Sequence, residues 1–213
     1  MKNIEKDILK SVKFWDRMAK FFDREERKNE STNIKIIEKA KNRLNISDNV
    51  LDYGCGTGTA AIEIASSVKE VKGIDISSKM IEAAKRKTVG LKVNNIDFEQ
   101  TTIFDEKCLN DSFNVIISFY LLHLVEDASK VIQKINELLK PGGLFISATP
   151  CVGESLSQRI LISLFGKIIR IPYLKLFKIQ ELKDLITYGN FEIIETEFLN
   201  NRGQQYFIIA KKI

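Results

Sequence analysis

Residues 50–58 read Val50-Leu51-Asp52-Tyr53-Gly54-Cys55-Gly56-Thr57-Gly58. This stretch predicts a short buried strand that ends in an acid and is followed by three glycines at every second position. Because glycine has no Cβ atom, such a loop lets backbone N–H groups close on a ligand that a side chain would leave no room for. A helical pattern follows over residues 59–66, so the stretch predicts a strand, a ligand-binding loop and a helix.

A second acid follows at the end of the next predicted strand, which covers residues 70–74. Asp75 stands there in the segment Gly73-Ile74-Asp75-Ile76-Ser77. An acid at this place in a βαβ unit can bind ribose hydroxyl groups. The glycine loop and Asp75 together therefore imply a cofactor that contains adenosine.

The rest of the chain alternates predicted helices with predicted strands. Helices are predicted over residues 3–28, 31–45 (capped by Ser31 or Thr32), 59–66, a segment capped by Ser77 and Ser78, 131–139 and 179–188. Strands are predicted over residues 50–52, 70–74, 96–100, 113–118, 144–148, 191–198 and 204–210, the last two joined through residues 200–203. A continuous apolar run such as residues 113–118 is typical of a parallel sheet. The pattern predicts a doubly wound α/β sheet with an antiparallel end.

The composition, 44% hydrophobic and 29% charged residues, is that of an ordinary globular chain. No apolar run approaches the roughly 20 residues that a membrane span needs. Residues 1–7 contain no apolar signal core, so we expect a cytoplasmic protein. Cys55, Cys108 and Cys151 are scattered and form no CxxC pair, which argues against a disulfide framework or a zinc site.

The net charge of +5 is unevenly distributed along the chain. Residues 1–45 and 155–180 carry the excess of Lys and Arg, whereas residues 46–154 are slightly acidic. We expect one domain over residues 1–213, made of an N-terminal helical arm (1–45), a cofactor-binding core (46–150), a lid-like insert (151–180) and a C-terminal helix and hairpin (181–213).

The insert can be interpreted in two ways. Residues 155–180 combine apolar residues at helical spacing with several cations and no acid. One interpretation is a helix that packs over the sheet edge with a solvated basic face. The other is a lid that closes on an apolar or anionic substrate, or contacts a membrane surface to reach a lipid-like one.

The spacing of the glycines separates this loop from a dinucleotide fingerprint, in which the third glycine comes one residue later. With three further motifs, the chain resembles the class I S-adenosylmethionine-dependent methyltransferases. Those motifs are residues 73–77 with the helix start Ser78-Lys79-Met80, residues 111–116, and residues 138–144. The resemblance covers roughly residues 46–150. It is closest to the small-molecule type that includes the ubiquinone and menaquinone C-methyltransferases, whose N-terminal helix pattern is similar to residues 15–23.

This resemblance implies a Rossmann-like seven-stranded sheet, mostly parallel with an antiparallel C-terminal strand and with helices on both faces. It also implies S-adenosylmethionine as methyl donor, S-adenosylhomocysteine as product, and no metal. Gly54, Gly56 and Gly58 would bring the backbone against the methionine part of the cofactor. Asp52 would lie near its amino group, and Asp75 would bind both ribose hydroxyls. Alternatively, Asp52 could merely cap the turn of the loop, and Asp75 could be an ordinary acid at a strand end.

Other cofactor contacts are also implied by the resemblance. They are Cys55 and Thr57 in the loop, Ile76 and Met80 at the adenine, Thr102 and Ile103 near the adenine amine, and Ser118 and Phe119 at the sulfonium end. The chain departs from the family at residues 101–103, where an acid is often found, and at Asn114, where Asp is commoner. Met80 can equally be interpreted as ordinary helix core.

Methyl transfer from a sulfonium is an in-line displacement, so the enzyme mainly positions the reactants. A base is needed only if the acceptor must lose a proton. His123, the only histidine, and Tyr120 are the candidates. His123 could instead be a helix-face residue hydrogen-bonded to the backbone. Cys151 invites comparison with the nucleophiles of pyrimidine C5 methylation, although a loop cysteine is the simpler interpretation.

The leading functional hypothesis is therefore a methyltransferase that acts on a small, apolar metabolite. An RNA methyltransferase is a second hypothesis, since two positive segments could track phosphates, but no Asn-Pro-Pro-Tyr-type motif supports it. A non-catalytic, cofactor-binding regulator would keep the same loop. The glycine spacing disfavours a nicotinamide dehydrogenase.

Overall fold

The structure is a computed structural model that describes residues 2–91, 93–200 and 205–213; the side chains of residues 2–7, 167 and 200 are not among those described. Of the expected turn at residues 200–203, Asn200 is the last residue of a strand, and residues 201–203 lie outside the described residues. Over the described part of the chain, no helix is both long and apolar enough to cross a membrane.

Seven strands form one sheet, in the order β3-β2-β1-β4-β5-β7-β6. The strands are β1 (Asn49–Tyr53), β2 (Glu70–Asp75), β3 (Ile96–Gln100), β4 (Phe113–Phe119), β5 (Leu139–Pro150), β6 (Phe191–Asn200) and β7 (Gln205–Lys212). Strands β1 to β5 pair in parallel, and β7 is antiparallel to both of its neighbours. The predicted fold class is confirmed.

The described residues form seven α-helices, two before the first strand and five between strands. They are α1 (Lys2–Lys28), α2 (Glu30–Lys41), α3 (Thr59–Ile64), α4 (Ser78–Thr88), α5 (Ala128–Leu138), α6 (Leu156–Ile169) and α7 (Ile179–Tyr188). The hydroxyl of Ser77 caps α4 by accepting a hydrogen bond from the backbone N–H of Met80, at 3.2 Å. This confirms the sequence prediction for Ser77, whereas Ser78 is already the first residue of the helix.

The predicted boundaries that differ most from the structure are those of α2 and β5. Helix α2 begins at Glu30, after Asn29 rather than at a Ser31 or Thr32 cap, and it ends at Lys41 instead of continuing to residue 45. Strand β5 begins at Leu139, because Leu139 pairs with Phe113 before an irregularity in the register. Helix α5 therefore ends at Leu138, and residues 140–143, which were expected to end the helix, belong to β5.

The sheet is buried on both faces. Alternate residues of its strands join two apolar layers, so that Leu51 and Ile116 pack with α5 and α7, whereas Val50 and Ile117 pack with α2, α3 and α4. Parallel sheets covered on both faces bind ligands at the carboxyl ends of their strands. The ends of β1, β2 and β4 are therefore the place to look for the site.

Candidate active site

The loop between β1 and α3 has the backbone conformation that its glycines predict. Gly54, Gly56 and Gly58 all have positive φ angles, of 76°, 54° and 80°. The backbone N–H groups of Gly54 and Cys55 donate to the carbonyl of Ile74 in β2, at 2.8 and 3.0 Å. The loop is thus tied to the neighbouring strand rather than held only by its own turn.

The third glycine serves packing rather than ligand approach. A Cβ atom at Gly58 would lie 2.6 Å from the ring of Phe98 and 2.9 Å from Cβ of Ala84. At Gly56 it would lie 3.0 Å from the ring of Phe22, a residue of α1. Helix α1 therefore lies directly over the glycine loop.

Polar contacts fix α1 in this position. Asp16 accepts a hydrogen bond from the hydroxyl of Ser77 at 2.6 Å and one from the backbone N–H of Lys79 at 3.2 Å. Glu26 accepts a hydrogen bond from the hydroxyl of Thr59 at 2.8 Å. Neither acid is predicted from the sequence to contact the site, because these hydrogen bonds join residues 33 and 61 positions apart, which no local pattern indicates.

Asp23 gives α1 a further attachment. Its carboxylate accepts from the hydroxyl of Thr57 at 2.6 Å and from the ammonium group of Lys87 at 2.7 Å. Thr57 is fully buried and does not line the cavity described below. The side chain of Thr57 thus links the loop to α1 and α4.

Asp75 and Asp52 form the acidic end of the site. Asp75 accepts hydrogen bonds from the backbone N–H groups of Gly56, at 3.1 Å, and Ser77, at 2.8 Å. The Oδ2 atom of Asp52 is buried without a hydrogen-bond partner among the described residues. Burial, and then the charge of Asp75, raise the pKa of Asp52 to about 7; burial also raises the pKa of Asp75 and of Glu26.

Acidic side chains in this arrangement suit a cationic ligand. A buried carboxylate oxygen without a partner is costly unless a ligand supplies a donor or a positive charge. The ammonium and sulfonium groups of S-adenosylmethionine are both positively charged, and the ammonium group is also a hydrogen-bond donor. The ribose hydroxyl groups could donate hydrogen bonds to the carboxylate of Asp75. The residues present therefore fit this cofactor.

One cavity of about 1390 Å³ contains most of the predicted site residues. Those that line it are Asp52, Gly54, Cys55, Gly56, Asp75, Ile76, Met80, Thr102, Phe119, Tyr120 and His123. Gly58, Ile103 and Ser118, like Thr57, are fully buried and do not line it. Since ligand pockets commonly measure about 300–1,000 Å³, the cavity has room for a second molecule besides a cofactor.

The two candidate catalytic residues lie in this cavity, after β4. Nδ1 of His123 is buried without a hydrogen-bond partner among the described residues, and burial lowers the pKa of the imidazole to about 4. Tyr120 has a positive φ angle of 57°, and its hydroxyl donates to the side-chain oxygen of Asn33 at 2.8 Å. Burial raises the pKa of Tyr120 to about 12. Near pH 7 the imidazole is neutral and able to accept a proton, whereas the phenol stays protonated.

The three cysteines are free and buried. Burial raises the pKa of Cys151 to about 12 and that of Cys55 well above its usual range, so both stay protonated as thiols near neutral pH. Among the described residues, no three His, Cys, Asp or Glu side chains are grouped as a metal ion would require.

The strand order and the acidic, glycine-rich end of β1 and β2 define a class I S-adenosylmethionine-dependent methyltransferase. The chain belongs to the family described as Methyltransferase domain, whose family model matches residues 44–192. S-adenosylmethionine is accordingly its cofactor.

Curated relatives support this assignment. The chain is 32% identical over 180 residues to the ubiquinone biosynthesis O-methyltransferase of Rickettsia typhi. The aligned region covers 77% of this chain and 69% of that protein. With the same enzyme of Actinobacillus pleuropneumoniae it shares 36% identity over 121 residues, which cover 54% of this chain and 51% of that protein. The chain thus spans about half the length of several of the curated relatives that it matches.

Solved structures show the same fold at low identity. A chain in the complex between the Haloferax volcanii Trm112 methyltransferase activator and the putative methyltransferase has a TM-score of 0.76 at 17% identity, with coverage of 92% of this chain and 96% of that one. Geranyl diphosphate C-methyltransferase of Streptomyces coelicolor, solved with Mg²⁺, geranyl diphosphate and S-adenosylhomocysteine, has a TM-score of 0.73 at 14% identity, with coverage of 88% and 80%. At these identities the likeness concerns the fold alone.

Proposed function

We propose that this methyltransferase transfers a methyl group from S-adenosylmethionine to a small, apolar metabolite by in-line displacement. The observation that carries the proposal is the continuity of the cavity. At one end it is lined by Asp52 and Asp75, and the insert lines it elsewhere with apolar side chains that include Leu161, Ile162 and Phe165. A cofactor and an apolar acceptor could therefore lie side by side in one cavity.

At the cofactor end, Asp75 and Asp52 each have a proposed partner on the cofactor. The two oxygens of Asp75 each accept one backbone hydrogen bond, and each keeps a lone pair for a ribose hydroxyl. The unpartnered Oδ2 of Asp52 would accept from the ammonium group of the methionine part. Glu26, which lines the cavity from α1, would add a second negative charge near it.

The cofactor supplies an already activated methyl group on its sulfonium, so the chain mainly contributes orientation and exclusion of water. Holding donor and acceptor at attack distance can lower the barrier by roughly 7–11 kcal/mol. Neutral His123 would accept a hydrogen bond, and finally the proton, from an acceptor hydroxyl at Nδ1. Because its pKa is low, this role suits an acceptor that is itself fairly acidic, such as a phenol.

The insert would bring the protein to a membrane surface where apolar acceptors are found. Helix α6 exposes large apolar side chains, each more than half accessible: Leu156, Ile160, Leu161, Leu164, Phe165 and Ile168. Two of them, Leu161 and Phe165, also line the cavity. An exposed apolar helix flanked by cations is typical of interfacial binding. Lid closure would be a further role of the same segment.

The proposal is tested first by ligand binding and then by turnover. S-adenosylhomocysteine should raise the melting temperature of the protein, and NADH should not. The protein is then incubated with S-adenosylmethionine and quinone precursors, fatty acids, small amines or tRNA, while donor consumption is measured. We expect consumption with phenolic quinone precursors. Consumption with tRNA alone would replace the proposal with the RNA hypothesis, and binding without consumption for any acceptor would favour a regulator.

A further inference from the structure

A second, smaller pocket adjoins the large cavity. It measures about 300 Å³ and lies between the first half of α1 and residues 170–172. It is lined by four cations and two apolar residues, namely Lys10, Lys13, Arg17, Arg170, Phe14 and Pro172. No acid is among the described residues that line it. The positive charges of Lys13, Arg17 and Arg170 around one small volume favour an anion.

Two separate elements bring these cations together. Lys10, Lys13 and Arg17 are spaced at i, i+3 and i+7, which places them on one face of α1. Arg170 follows α6 directly and has a φ angle of +57°, a conformation that residues other than glycine adopt rarely. The backbone N–H of the next residue, Ile171, bonds back to the carbonyl of Gly166 at 3.0 Å. The chain thus reverses there, and Arg170 reaches the same pocket as α1.

The pocket contains an arginine whose side chain is positioned by an aromatic ring. The guanidinium of Arg17 lies 5.6 Å from the centre of the Phe14 ring, so a neighbouring aromatic group restrains it. Arginine side chains bind phosphate oxygens through two parallel hydrogen bonds, and lysines add charge.

The pocket adjoins the large cavity and shares two lining residues with it. Lys10 and Pro172 line both spaces. The nearby wall of the large cavity includes Trp15, Phe165 and Ile171, which are apolar. The acids that line the large cavity do not line the small pocket; they are Glu26, Asp52, Asp75, Glu126 and Asp127. An apolar molecule in the cavity could therefore place an anionic end near Lys13, Arg17 and Arg170.

We propose that this pocket binds the phosphate group of an amphipathic acceptor whose apolar part lies in the large cavity. This inference rests on the proposed function and specifies the class of its acceptor. A phosphate group could also belong to a lipid of a membrane surface, and the test separates these two sources.

Trp15 is the only tryptophan of the chain and lines the cavity, so its fluorescence reports binding there. We would titrate the protein with dodecyl phosphate below its critical micelle concentration and with dodecanol as the uncharged match. The test variant is Arg17→Gln/Arg170→Gln. The control is Lys20→Gln/Lys85→Gln, which removes the same charge from two exposed side chains outside the pocket.

The wild-type protein and the control should bind dodecyl phosphate at least tenfold more tightly than dodecanol, and the test variant should lose about tenfold of that affinity. Equal affinity for the two probes, or an equal loss in both variants, would overturn the proposal. Binding to phosphatidylglycerol vesicles is measured as well. A test variant that loses only this binding would also overturn the proposal, because the pocket would then bind lipid headgroups. Binding of S-adenosylhomocysteine is measured in the same samples and should be the same in all three proteins. If the wild-type protein did not bind S-adenosylhomocysteine, the proposed function would be contradicted, rather than the phosphate pocket alone.

Discussion

The carboxylate of Asp75 accepts a hydrogen bond from the backbone N–H of Gly56, with 3.1 Å between the Gly56 nitrogen and Oδ2. The acid that ends β2 and the glycine loop that follows β1 are therefore one hydrogen-bonded unit. Since Ser77 donates to the other carboxylate oxygen at 2.8 Å, the plane of the carboxylate is fixed before a ligand arrives. Such preorganisation lowers the entropic cost of binding.

The first prediction concerns Asp75→Asn. The amide keeps one acceptor oxygen and turns an NH₂ group toward one of the two backbone donors, so it can neither hold the loop nor accept from both ribose hydroxyls. Losing charge-assisted hydrogen bonds, worth about 1.5–3 kcal/mol each, should weaken the binding of S-adenosylhomocysteine at least tenfold by titration calorimetry. Asp97→Asn, at an exposed position on β3, is the control. An affinity within twofold of the wild type would contradict the proposed role.

The second prediction is that cofactor binding weakens as the pH falls. Burial and the charge of Asp75 raise the pKa of Asp52 to about 7, so Asp52 becomes neutral between pH 8 and pH 6. A neutral Asp52 loses its attraction for the ammonium group, so the dissociation constant of S-adenosylhomocysteine should rise about tenfold over this range. In Asp52→Asn the affinity should be low throughout, with a smaller pH dependence. A variant as pH-dependent as the wild type would refute the assignment.

The third prediction concerns the stability of the protein without cofactor. The folded-state pKa of Asp52 lies above its unfolded value of 3.8, so its contribution to stability is complete below about pH 4 and is lost as the pH rises through 7. Asp52→Asn cannot ionise and should therefore melt at a higher temperature than the wild type at pH 8. That difference should shrink at pH 5. Calorimetric melting at the two pH values measures it, and a lower melting temperature of the variant at pH 8 would be inconsistent with a costly buried charge.

The fourth prediction is that His123 titrates at an unusually low pH. Burial lowers the pKa of its imidazole to about 4, from a usual value near 6.5. As the chain has one histidine, a single imidazole C2–H resonance follows this titration by proton NMR. The same resonance in urea-unfolded protein is the control and should titrate near 6.5. A midpoint between 6 and 7 in the folded protein would mean that the ring is accessible to water.

The fifth prediction tests the membrane contact of α6. Ile160→Ser, Leu164→Ser and Ile168→Ser remove exposed apolar side chains that do not line the cavity. The triple variant should lose binding to vesicles of phosphatidylglycerol and phosphatidylcholine in a flotation assay, because buried apolar area drives interfacial binding. Ile46→Ser, Val89→Ser and Leu109→Ser, which are exposed elsewhere, form the matched control. Equal flotation of both triple variants would argue against α6 as the contact.

The sequence by itself determined the class of cofactor and the general architecture of the sheet. The positive φ angles of Gly54, Gly56 and Gly58 are a local property, because only the absence of a Cβ atom makes them easy to adopt. The apolar runs of β1 and β4 are also local, since a strand buried on both faces must be apolar throughout. Motifs of this kind can be identified without knowing which elements meet in space.

Only the tertiary structure decided which other residues reach that site. Glu26 bonds to Thr59 across 33 positions of the chain, and Asp16 to Ser77 across 61, so both contacts depend on how α1 packs on α4 and the loop. The pKa values of Asp52 and His123 likewise depend on burial by distant segments. No period of 2 or 3.6 residues encodes such long-range contacts. That packing alone places the small cationic pocket beside the cavity that contains the cofactor end.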